Sequence, residues 1–113
     1  MTISVDAEGD AMKHFLLEGK HLVPFDELHD LVAEHYAYLQ AGYDNGNFLF
    51  SGPQVPPHGG FLVARARTRE ELDALLSAEP FVREGKMVFT RVTEFEAAQF
   101  QPAIEDWFAG RPV

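Results

Sequence analysis

Two short stretches of helical periodicity, each framed by extended apolar runs, constrain this chain most, because together they order its elements as βαββαβ. A first strand is predicted over Lys13–Leu22, where Phe15, Leu16, Leu17 and Leu22 form a run interrupted by Gly19. After Pro24, the residues Leu28, Leu31, Val32, His35 and Leu39 recur at helical spacing and predict a helix from Phe25 to Ala41. The string Gly42-Tyr43-Asp44-Asn45-Gly46 tolerates positive φ, so it predicts the helix end and a turn into a second strand, Asn47–Ser51.

Residues 52–60 are too rich in Pro and Gly for regular structure and read as a semi-rigid loop. Phe61–Arg67 then alternates at period two, a third strand. Thr68 with Glu71 makes a capping box for a second helix carrying Leu72, Leu75 and Leu76, which must stop before Pro80. Met87–Phe95 is the fourth strand, with Met87, Phe89 and Phe95 on one face and Val88 and Val92 on the other.

Apolar residues on both faces of that strand require cover on both sides of the sheet. The series predicts an α+β, ferredoxin-like βαββαβ fold with an antiparallel sheet, whose helices cover one face only. A second copy is the natural cover for the other, hence the expectation of a homodimer paired through the sheet face. At 113 residues the chain reads as a single domain, with its core at about 13–95 and a frayed lead-in at 1–10. The remaining residues, 96–113, form a tail: Phe100, Ile104, Trp107 and Phe108 suit a short helix that docks on its own domain or on the partner.

Charge narrows the partners. Asp and Glu number 18 against 9 Lys and Arg, and the net charge of −9 repels nucleic acid and anionic membrane surfaces. No apolar run approaches the roughly 20 residues that span a bilayer, and the acidic N-terminus does not read as a secretory signal. The absence of cysteine removes a thiol nucleophile, Cys-ligated zinc and disulfides, and fits a cytoplasmic location. Arg65, Arg67 and Arg69 alternate along one strand end, where the expected reading is a solvated edge and the alternative an anion contact.

His35 carries the chemistry that the sequence offers. It shares its helical stripe with buried leucines, so it points inward and needs a partner. Glu79 ends the second helix near its inner face and is the natural partner, a carboxylate that would orient the imidazole as a base. A hydrogen-bonded core histidine is the structural alternative. Ser51, Gly52 and Pro53, where the second strand meets the loop, could hydrogen-bond an anionic oxygen or merely redirect the chain. His58 stands in the same loop, at the pocket mouth or in solvent. His14, His21 and His29 with His35 do not give zinc spacing, and no metal or cofactor is expected. No phosphate-binding glycine loop or nucleophile elbow occurs.

His35-Tyr36-Ala37-Tyr38-Leu39, Phe50-Ser51-Gly52-Pro53, Gly59-Gly60-Phe61, Glu79-Pro80-Phe81 and Gly85, in that order, resemble the YCII-related proteins of the dimeric α+β barrel group. The resemblance spans about 13–95. It implies a sheet-to-sheet dimer and a site built on a histidine, at His35, and an aspartate, at whose position stands Glu79, one methylene longer. It also implies cofactor-free lyase, isomerase or dehydrochlorinase chemistry on a small organic or ring substrate. The competing reading is a non-catalytic homodimer that binds a small ligand; haem chemistry is a third, opposed by the commitment of His35 to Glu79.

Overall fold

A computed structural model describes residues 11–113; the lead-in expected over residues 1–10 lies outside them. The elements are β1 (Lys13–His21), a 3-10 turn (Phe25–Leu31), α1 (Val32–Asp44), β2 (Phe48–Pro53), β3 (Gly59–Ala66), α2 (Arg69–Ser77), α3 (Pro80–Arg83) and β4 (Met87–Phe95). A 3-10 turn (Pro102–Ile104) and α4 (Glu105–Phe108) follow. The strands make one antiparallel sheet in the order β2-β3-β1-β4, the α+β, ferredoxin-like arrangement.

The core forms where the inner face of the sheet meets α1 and α2. Phe15 and Leu17 of β1, Leu62, Ala64 and Ala66 of β3, and Phe48 of β2 pack there against Leu72 and Leu76. The predicted capping box holds in its main bond: Thr68 Oγ1 accepts from the Glu71 amide at 3.0 Å. Such a cap stabilises a helix by about 1 kcal/mol. A second cluster, Leu28, Phe81 and Met87, joins the 3-10 turn, α3 and β4 at the end of the sheet where β1 finishes.

Four expectations change. The first helix runs on to Asp44, because Gly42 is needed inside it: a Cβ there would lie 2.0 Å from Cδ2 of buried Phe48. The turn falls instead at Gly46, whose φ is 88°. β2 continues through Gly52 and Pro53, pairing them with Phe61 and Gly60, so the loop shrinks to residues 54–58. In β4 the register slips opposite Glu18 and Gly19, a bulge that gives Thr90 no partner. Beyond it the faces exchange, and Val92 joins Phe89 against the core while Phe95 turns outward.

Arg65 is the fourth. It is only 3% exposed, not a solvated strand edge. Its guanidinium donates to the carbonyls of Gly46, Trp107 and Arg111 at 2.6 to 2.8 Å and lies 5.1 Å from the Trp107 ring centroid. Trp107 adds a bond from Nε1 to Gly46 O at 2.9 Å. The tail is thereby held on its own domain, over His14 and Phe95 on the outer face of the sheet. The rest of that face leaves Leu16, Phe50 and Phe61 exposed.

Candidate functional site

Leu28, Leu31 and Val32 anchor the start of the helical segment against Phe81 and Met87. That anchorage sets His35 over α3, where its ring stacks on Phe81 with centroids 4.2 Å apart and planes 13° apart. Nδ1 lies 2.5 Å from Glu79 Oε1. Glu79 is the N-cap of α3, and its Oε2 accepts from the Val82 amide at 3.1 Å. One buried carboxylate therefore caps a helix and holds an imidazole at the same time. The longer arm of glutamate, compared with aspartate, still closes the contact.

The pair is asymmetric. The Glu79 side chain is 2% exposed and that of His35 is 22% exposed. A carboxylate accepts, so Nδ1–H donates, and the lone pair of a neutral ring then sits on Nε2. Among the described residues Nε2 has no hydrogen-bond partner.

Beside the pair opens a cleft of about 220 Å³. Glu79 and Tyr36 are on its wall, and His35, which does not line it, adjoins both: Nδ1 meets the carboxylate and its ring lies 5.6 Å from that of Tyr36. The floor is the inner face of the sheet where it carries no side chains, at the cross-strand pair Gly19 and Gly60. Tyr36, Tyr38 and Leu39 from α1, with Met87 and Phe89 from β4, supply apolar walls. Ser51, Gly52 and Pro53 border the cleft from β2. The Ser51 hydroxyl is engaged by the hydroxyl of Tyr43. His58 is exposed and does not border the cleft; its carbonyl accepts from the His21 amide at 3.0 Å.

Two lining residues were not among the expected site residues. Tyr38 donates its hydroxyl to Leu75 O at 2.6 Å, and burial, then the Glu79 charge, push its phenol well up, so it stays a donor. His21 ends β1 and lines the cleft opposite that phenol-bearing helix. Burial lowers its pKa, the His35 charge lowers it further, and Glu79 acts in the opposite direction. Its signal was present in the alternation: Phe15, Leu17, Gly19 and His21 share one face of β1. No three His, Asp or Glu side chains converge as metal ligands among the described residues. No helix among them is long and apolar enough to cross a membrane.

Comparison with known proteins adds two findings. The family model of the YCII-related domain matches residues 11–96, leaving the Arg65-held tail outside it. Among solved structures the chain is similar to 5-chloro-2-hydroxyhydroquinone dehydrochlorinase from Burkholderia phenoliruptrix AC1100, solved in complex with 2,5-dihydroxybenzoquinone. The TM-score is 0.60 and the identity 21%, over 77% of this chain and 95% of that one, a likeness of fold. Comparison with curated proteins gives no match.

Proposed function

Since this chain belongs to the YCII-related domain family, we propose that it is a cofactor-free enzyme that moves a proton on a small hydroxylated ring compound, as a lyase or isomerase does. The observation that carries the reading is the 2.5 Å contact of His35 Nδ1 with Glu79 Oε1 at the edge of an apolar cleft. Glu79 orients the ring, and Nε2 is the proton acceptor. In an elimination the proton passes to Nε2 as the leaving group departs with its electron pair; in an isomerisation the same proton returns at another carbon. Both are redox-neutral. The fold shared with a dehydrochlorinase supports the class.

A second copy packed on the exposed outer face, at Leu16, Phe50 and Phe61, completes the proposed assembly. These residues surround a shallow apolar depression shared by β1, β2, β3 and β4.

Chloride release from 5-chloro-2-hydroxyhydroquinone tests the reading. Wild type is expected to turn over, and His35→Ala to fall by a factor of about 100 or more with the fold intact, the usual contribution of a general base. Binding of the ring without turnover, unchanged in His35→Ala, would replace the enzyme by the ligand-binding dimer.

A further inference from the structure

The cleft's polar groups are nearly all committed. Glu79 spends one oxygen on His35 and the other on the Val82 amide. Ser51 and Tyr43 are bonded to each other, and Tyr38 gives its proton to Leu75 O. His21 and the exposed Tyr36 hydroxyl are different: among the described residues neither the His21 ring nitrogens nor that hydroxyl takes part in a hydrogen bond. The His21 ring is held in place by apolar contacts alone, edge-on to Phe81 at 6.1 Å and 89°, and tilted against Phe25 at 6.4 Å.

The floor below it selects for shape. Gly19 and Gly60 face each other across β1 and β3, and a Cβ on either would meet Met87 Sδ at 3.3 Å or Gly52 O at 3.0 Å. Their bare backbone leaves a flat surface under aromatic and methionine walls, a shape that takes a planar ring.

We propose that His21 is the anion-pairing residue of this cleft: it takes up a proton from solvent as a planar ring with an ionised oxygen settles on Gly19 and Gly60, and its imidazolium pairs with that oxygen. The inference rests on the reading of the cleft as a ring-binding site. The charges that act on His21 are those of His35 on α1 and Glu79 at the start of α3, and it shares the cleft with Tyr36 and Tyr38. Burial lowers the His21 pKa first, a proton on His35 would lower it further, and Glu79 opposes. An oxyanion in the cleft adds a second negative neighbour and tips the balance toward the cation.

The probe is 2,5-dihydroxybenzoquinone, whose acidic hydroxyls are ionised at neutral pH. Titration calorimetry at pH 7 in phosphate and in Tris reads proton exchange from the difference in heat. Uptake of about one proton per chain is expected, and His21→Gln loses it together with about tenfold in affinity. In wild type, the His21 ring resonances move toward the imidazolium position on saturation, a readout that needs no variant. Unchanged uptake and affinity in His21→Gln, or no uptake in wild type, overturns the inference. If His35→Gln abolishes turnover while His21→Gln changes nothing, the inference fails and the dyad stands. If His35→Gln leaves turnover and binding untouched while His21→Gln loses the proton, the dyad fails and the inference stands.

Discussion

His35 and Glu79, 44 residues apart in sequence, are joined by a 2.5 Å contact between Nδ1 and Oε1, with the other carboxylate oxygen capping α3. Removing the carboxylate therefore costs twice. Glu79→Ala leaves a half-buried imidazole unpaired and a helix uncapped, and is expected to destabilise the protein by roughly 3 kcal/mol. Glu79→Gln keeps an acceptor for the Val82 amide and should cost about 1 kcal/mol. Urea unfolding of the two variants separates the roles; equal losses would mean that the charge carries the effect alone.

Gly42 is a contact residue, not a turn residue. With a Cβ placed 2.0 Å from buried Phe48 Cδ2, Gly42→Ala should destabilise by at least ~2 kcal/mol despite alanine's better helix propensity. Gly52→Ala, where nothing lies within 4 Å of the added carbon, serves as the mild comparison in the same thermal melts.

These positions show what the sequence revealed and what it concealed. Periodicity placed all four strands and the His35 stripe because it reads which side of an element is buried. It failed at Gly42, where propensity argued for a turn and tertiary packing overruled it. It failed again at Thr90, since a bulge is set by pairing with β1 and exchanges the faces beyond it. Arg65 looked solvated because its partners are backbone carbonyls of a tail about 40 residues away, which no local pattern encodes. His35 and Glu79 were legible by stripe and family resemblance together, whereas His21 was passed over as one of several scattered histidines.

The tail depends on that arginine. Trp107→Ala empties a buried site and loses the bond to Gly46 O, with an expected cost of ~3–5 kcal/mol. Arg65→Met should loosen the same segment with a smaller loss, read as faster proteolysis after residue 96. Protection equal to wild type would argue that Trp107 alone holds the tail.

Acid should act through His14. Its Nε2 is buried without a partner, with the Trp107 and Phe108 rings 5.5 and 4.9 Å away. Burial first, then Arg65, lower its pKa below 6.5, with Glu94 opposing. The unfolded chain binds this proton more readily, so stability is complete above pH 6.5 and falls as the pH drops below it toward the folded pKa. His14→Gln is expected to flatten that slope in unfolding measurements between pH 7.5 and 5.

Assembly is checked at the outer face. Phe50, 56% exposed, lies away from the core on β2. Phe50→Glu is expected to convert a dimer to a monomer in sedimentation equilibrium while the fold persists, because a charge there meets the partner's apolar face unpaired. A monomeric wild type would remove the partner from the account.

The proposed chemistry requires His35 to serve a ligand in the cleft, and nitrogen NMR of its imidazole reads that directly. With 2,5-dihydroxybenzoquinone added, Nδ1 should keep its proton and its bond to Glu79, while the Nε2 resonance shifts. If neither ring nitrogen responds to saturating ligand, His35 is a core histidine and the proposed chemistry is wrong.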